Sequence, residues 1–268
     1  SGGVAYGYQS TTVAGVKSSG FGMDTAALKL AVSEDLGGGL KATGAISAGG
    51  LARGNAVTGE DMTMTLSGGF GSVLVGQIEI GSGIRGLAEA GAPVNNMEGE
   101  VLAPASAGTD IVKYTAPAMG AFTFSGSLTE AKGLNTGLQA GAANKGTSAY
   151  TAGVDYAAGP LKAKLDFSDW NSAAAAGKAN NRFRVAAQYD LGMAKVGAGL
   201  ESQKMVGGGT NKLTMLGVSA PVGAFTVGAA MVTADASATA GSKTGSTFGA
   251  SYALSKRTDV YTSYANNS

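Results

Sequence analysis

Across Leu161-Lys-Ala-Lys-Leu-Asp-Phe-Ser-Asp-Trp170 the side chains alternate between apolar and polar. In a strand, Leu161, Ala163, Leu165 and Phe167 share one face, and Lys162, Lys164, Asp166 and Ser168 share the other. The same period recurs along most of the chain. Leu28, Leu30 and Val32 alternate with Lys29, Ala31 and Ser33, and Met62, Met64 and Leu66 alternate with Asp61, Thr63 and Thr65. Phe183, Val185, Ala187 and Tyr189 alternate with Arg182, Arg184, Gln188 and Asp190. No helical period of comparable strength competes. Such strands either enclose a polar interior with their apolar faces outward, or lie one-sided against a separate apolar core.

Composition narrows the choice. Gly is abundant at 45 of 268 residues while Pro is only 5, which fits neither collagen nor disorder. Charged residues make up 14% and the net charge is +1, so nothing favours a nucleic-acid partner. Cys and His are both absent. That removes disulfides, thiol nucleophiles, zinc sites of the usual kind and every His-dependent catalytic arrangement. No carboxylate pair stands out for hydrolysis, so the reading is a protein without enzymatic activity, metal or cofactor.

The apolar runs are far shorter than the ~20 residues of a membrane-spanning helix. No basic-then-apolar signal opens the chain, which fits either a cytoplasmic protein or a mature, processed form. A mean hydropathy of +0.11 comes largely from Ala, and permits a membrane barrel. Met62, Met64 and Met231 read as apolar-face residues rather than ligands. Val206-Gly-Gly-Gly-Thr210 lacks the Gly-Lys-Ser/Thr ending of a phosphate loop. Trp170 and Tyr189 are candidates for an interfacial aromatic girdle, although a lone Trp at a strand end also fits simple packing.

The connections are of two kinds. Leu36-Gly-Gly-Gly-Leu40, Ser67-Gly-Gly-Phe-Gly71, Ala157-Ala-Gly-Pro160, Tyr189-Asp-Leu-Gly192 and Ala220-Pro-Val-Gly223 are tight and carry turn residues. Residues 131–146 and 234–245 are longer and rich in Gly, Ser, Ala and Asn. Short and long connections taking turns is the asymmetry of an outer-membrane barrel. A soluble antiparallel sheet stays open as an alternative, but no amphipathic helix of useful length is available to cover its apolar face. Residues 81–108 form a long connection without sustained alternation, containing Arg85, Glu89, Glu98 and Glu100. Long structureless loops in compact domains are usually functional, so this one either folds inward or lies on the surface.

The tight turns and their flanks carry a family resemblance. Ser33-Glu-Asp-Leu-Gly-Gly-Gly-Leu-Lys-Ala42 resembles the turn after the second strand of Gram-negative general porins, the beta-proteobacterial branch above all. Thr65-Leu-Ser-Gly-Gly-Phe-Gly-Ser-Val-Leu-Val-Gly76 is similar to the next periplasmic hairpin. Lys113-Tyr-Thr-Ala-Pro117, Gly217-Val-Ser-Ala-Pro-Val-Gly223 and Tyr252-Ala-Leu-Ser-Lys-Arg-Thr-Asp-Val-Tyr261 match further turns in the expected order.

The resemblance implies an all-β, 16-stranded transmembrane antiparallel β-barrel, of which about 15 strands are visible by alternation. Residues 1–268 then form one porin domain, with both terminal strands expected to be incomplete. It further implies a homotrimer in outer-membrane lipid that passes small hydrophilic solutes and ions. Residues 81–108 become the third external loop, folded into the lumen at the constriction. There, acidic loop residues face basic wall residues across the channel. Glu89, Glu98 and Glu100 are the acidic candidates, with Arg85 beside them on the loop. The basic wall candidates are Lys29, Lys41, Lys113, Lys162, Lys164, Arg182 and Arg184. Glu60 and Asp61 line the pore where relatives commonly carry basic residues, and Leu74 and Gln77 stand where arginines are frequent. With that arginine cluster thinned, only a weak, salt-sensitive preference is expected. The alternative function is a structural outer-membrane barrel that packs in an array or anchors a surface layer.

Overall fold

The computed structural model describes residues 1–51, 58–79, 83–94, 108–131, 148–170, 179–236 and 241–267. Among them, fifteen strands form one antiparallel sheet whose neighbours follow chain order from first to last. The first seven are β1 (Gly2–Val13), β2 (Val16–Gly37), β3 (Leu40–Gly49), β4 (Thr58–Gly68), β5 (Gly71–Glu79), β6 (Gly108–Thr115) and β7 (Phe122–Ala131). Next come β8 (Ser148–Ala158), β9 (Leu161–Trp170), β10 (Ala179–Asp190) and β11 (Lys195–Met205). The last four are β12 (Thr210–Val222), β13 (Phe225–Ala236), β14 (Gly241–Ser255) and β15 (Thr258–Asn267). A short helix, α1 (Arg85–Ala88), lies between β5 and β6.

Register follows the two-residue period. Phe183 stands opposite Phe167 and Val185 opposite Leu165, while Arg184 stands opposite Asp166 and Gln188 opposite Lys162. A slip of one residue would turn every side chain to the other face, so the alternation specifies the pairing. Val32, Met64, Leu200, Leu216 and Met231 remain more than half exposed on the hydrophobic face. This is the surface expected of strands whose apolar side meets lipid.

Aromatic side chains gather near both ends of the strands. Close to the tight turns, the Phe122 and Tyr156 rings lie 5.0 Å apart and those of Phe225 and Tyr252 4.6 Å apart. The Tyr114 hydroxyl donates to the Phe70 carbonyl at 2.7 Å, and Tyr189 lies in the same region at the end of β10. Toward the other end are Tyr8 and Phe21, 5.1 Å apart, with Phe167 and Phe183 on facing strands. Two such girdles mark the interfaces of a transmembrane barrel. Trp170 belongs to neither. It shares its face with Lys164 and Ser168, and the Arg182 guanidinium lies 5.2 Å from its ring centre.

The sheet curls back on itself. The Tyr261 hydroxyl on β15 donates to Asp24 Oδ2 on β2 at 2.8 Å, across 237 positions of sequence. The two edge strands, β1 and β15, run the same way because the strand count is odd.

The tight turns fall where their residues predict. Gly37, Gly38 and Gly39 all adopt left-handed dihedrals between β2 and β3, a conformation costly for any side chain, and Asp35 Oδ1 accepts from the Gly37 N–H at 2.9 Å. The opposite end is less regular than the sequence suggests. Ala14 and Gly15 alone join β1 to β2, and residues 206–209 join β11 to β12. The connection expected over residues 234–245 is also shorter, because Asp235 pairs with Ser242 and Ala236 with Gly241. Small residues give little alternation to read, yet their backbones complete a ladder as well as any. Most of the long connection 131–146 lies outside the described residues.

Alternation also fails in the middle of β12. Leu216 and Val218 belong to the hydrophobic face, but Leu213 and Met215, on the opposite face, are fully buried. They belong to a small core with Ala186, Val232, Ala234, Ile84 and Ala88.

Candidate functional site

Residues 83–94, which include α1, cross β10 to β14 on the face opposite the exposed hydrophobics. Ile84 and Ala88 are one helical turn apart, on one side of α1. Both are fully buried against the core of the wall. Removing them from water is favourable at roughly 25 cal/mol per Å² of apolar area. Where Ile84 and Ala88 rest, the wall strands supply Ala186, Leu213, Met215, Val232 and Ala234. Ser219 Oγ on β12 donates to the Ala90 carbonyl at 2.6 Å. Arg85 Nε donates to both carboxylate oxygens of Glu89 at 2.8 Å, an i,i+4 pair within the segment.

Charged residues beside the segment come from β8 to β10. Arg184 Nε donates to Asp166 Oδ1 at 2.8 Å, with both side chains nearly buried. The Arg184 guanidinium lies directly beside Gly83, where any Cβ would collide with it. On the same face of β9, Lys164 stands opposite Asp155 of β8, and Lys162 opposite Gln188 of β10. Lys162, Lys164 and Asp155 line a cavity of about 390 Å³ together with Gly83, Gly86 and Leu87 of the segment. Neither lysine forms an ion pair among the described residues. Farther along the wall, the hydroxyls of Thr151 and Ser168 are hydrogen-bonded at 2.8 Å.

The structure thus brings Arg85, Glu89, Lys162, Lys164 and Arg184 into one region, with Arg182 on the same strand as Arg184. Lys29, Lys41 and Lys113 share the polar face but sit on β2, β3 and β6, away from the wall on which the segment rests. Lys29 stands opposite Ser47, and Lys113 opposite Ser127. Lys41 stands opposite Asp35 beside the tight turn, at the end of its strand. The Glu60 carboxylate lies against the backbone of Gly49. Asp61 Oδ1 accepts from the Glu79 N–H at 2.8 Å, tying the ends of β4 and β5 together. Glu98 and Glu100 lie outside the described residues. Gln77 pairs with Met62 and Asp110 in register with the hydrophobic face, whereas Leu74 stands opposite Thr65 and Lys113 on the polar face.

Three residues of the site are absent from the sequence-based candidates: Asp155, Asp166 and Ser219. Alternation shows that Asp166 lies on a charged face, but only register shows that it meets Arg184. Ser219 is 129 positions from the carbonyl it binds, and nothing local marks it.

A family model described as Gram-negative porin matches residues 1–268. No curated protein sequence matches. Among solved structures, the chain is similar to the anion-selective porin from Comamonas acidovorans at 25% identity and TM-score 0.72, covering 98% of this chain and 85% of that chain. It is also similar in fold to Salmonella typhi OmpF in complex with daunomycin, at 13% identity and TM-score 0.78, covering 98% of this chain and 88% of that chain. Vibrio cholerae OmpT in a trimer form follows the same fold at 13% identity and TM-score 0.67, covering 99% of this chain and 88% of that chain. A strand-by-strand antiparallel barrel, an exposed apolar band between aromatic girdles and a match over the whole length lead to one assignment: the chain belongs to the Gram-negative porin family, outer-membrane channels for the passive diffusion of small solutes.

Proposed function

We propose that residues 83–94 fold into the lumen of this barrel and bound its narrowest part, facing Lys162, Lys164 and Asp155 across the cavity. The observation that carries this reading is the burial of Ile84 and Ala88 on the face opposite the exposed hydrophobics. A segment seated there narrows the water-filled space from one side only. Ions and small hydrophilic solutes then pass between it and the polar wall.

The charges set a weak preference. Arg85 is paired with Glu89 and Arg184 with Asp166, so each pair presents little net charge to a passing ion. Two ammonium groups, Lys162 and Lys164, remain against one carboxylate, Asp155, around the cavity. The lumen therefore prefers anions weakly, and salt screens the preference, since the Debye length falls from about 10 Å at 0.1 M to about 3 Å at 1 M. The anion-selective Comamonas relative supports this sign. Residues 1–268 act as one pore-forming domain in outer-membrane lipid. A homotrimer is supported by the trimer form of OmpT. The pore catalyses no reaction and requires no cofactor.

Planar-bilayer recording of the purified, detergent-folded protein tests the reading. Stepwise conductance with a reversal potential slightly on the anion side is expected. Folded protein that inserts without conducting would overturn it and favour the array or surface-anchoring role.

A further inference from the structure

The wall beneath residues 83–94 carries a row of glycines: Gly197 and Gly199 on β11, Gly217 on β12, Gly228 on β13 and Gly249 on β14. None of them has a left-handed backbone, so none is required by its dihedrals. What each supplies is space. A Cβ on Gly197 would meet the Leu87 carbonyl oxygen and approach that of Ala88 to 2.6 Å. One on Gly217 would come within 2.6 Å of the Glu89 Cα, and one on Gly228 within 2.8 Å of the Ala92 Cα. One on Gly249 would meet the Pro93 carbonyl, its carbon at 2.7 Å. Gly199 is slightly looser, with the Cβ atoms of Ala88 and Ile84 at 3.0 Å.

Successive strands therefore touch successive stretches of the segment, from Leu87 through Pro93. The Ser219 hydrogen bond to Ala90 lies midway along this contact. Elsewhere on the sheet, Gly59 and Gly126 would accept a Cβ with nothing nearer than 4.0 Å. We infer that Gly197, Gly217, Gly228 and Gly249, with Ser219, form a track that sets how far the segment stands off the wall, and so the open cross-section of the pore. They are positioning residues for solute size, acting through the segment without touching the solute. The inference rests on the inward-folded reading of residues 83–94. A side chain on the track lifts backbone rather than a pliable side-chain tip, and close-packed surroundings leave it little room to be absorbed.

Gly217→Val and Gly228→Val test the track, with Gly126→Val as the control. In folded protein, each track variant is expected to change single-channel conductance about twofold and to shift the size limit in liposome swelling, as follows from an altered pore diameter. Gly126→Val is expected to match the parent chain. Track variants that fold and keep the parent conductance and size limit overturn the inference while leaving the pore itself established.

A second measurement does not depend on conduction or on the valine variants folding. The chain has no Cys, so Ala88→Cys with Gly199→Cys introduces a single pair. Their Cβ positions, 3.0 Å apart, need only a small relaxation to reach the ~3.8 Å of a disulfide. Oxidation is expected to give one internal cross-link, read by mass. Its absence from the folded protein overturns the track even where no conductance can be recorded.

Discussion

Arg184 and Asp166 neutralise one another on facing strands, with the guanidinium Nε 2.8 Å from the carboxylate and both side chains nine-tenths buried. An arginine that counts toward the positive wall by its sequence pattern is thereby largely removed from it. The pair also stands beside Gly83, so it braces the place where the loop segment meets the wall.

Asp166→Asn removes the carboxylate bonded to Arg184 and makes the wall one negative charge poorer. The reversal potential in a salt gradient is expected to move toward anions. Losing one partner of a buried pair also costs about 3 kcal/mol or more, which lowers the urea midpoint of unfolding. An unshifted potential would show that Arg184 is remote from the permeation path.

Neutralising Lys162 and Lys164 together, as Lys162→Gln with Lys164→Gln, acts in the other direction. Selectivity is expected to shift toward cations in dilute salt. Near 1 M, where the screening length is about 3 Å, parent and variant should converge. An identical potential in dilute salt would mean that these two side chains do not face the lumen.

The face assignment has its own test. Leu216 lies midway along β12 and is more than half exposed. Leu216→Arg is expected to destabilise the barrel in lipid by about 2–4 kcal/mol, the depth-dependent cost of a cation on the lipid side. Thr63→Arg, on the polar face of β4, should cost much less and alter conductance instead. Equal destabilisation by the two substitutions would contradict the assignment.

Tyr261→Phe removes the hydrogen bond that links β15 to β2. A loss of about 1 kcal/mol in unfolding free energy is expected, the usual net worth of such a bond. Conductance should be unaffected. A stability equal to the parent chain would mean that the contact contributes nothing to holding the curled sheet.

Much of the architecture was legible because it follows local rules. Leu161 to Trp170 reads as a strand with a charged face, and Lys162, Lys164 and Asp166 indeed share that face. The tight turns carry the Gly, Pro and Asp that such turns require. Legibility stopped where residues are small or where both faces are apolar. Residues 234–245 look like a loop, yet 234–236 and 241–245 pair as strand. Leu213 and Met215 break the alternation because they meet the segment rather than water.

The order of residues was enough to establish β-strands, their two faces, the family and the absence of His and Cys chemistry, since each depends on neighbours within a turn or a strand, or on composition alone. Folding decided which of the inner charges remain unpaired and where residues 83–94 come to rest. Arg184 and Asp166 are 18 positions apart, Ser219 and Ala90 are 129, and Tyr261 and Asp24 are 237. Such pairs meet only through strand register and the curl of the whole sheet, and no periodicity read along the chain contains either.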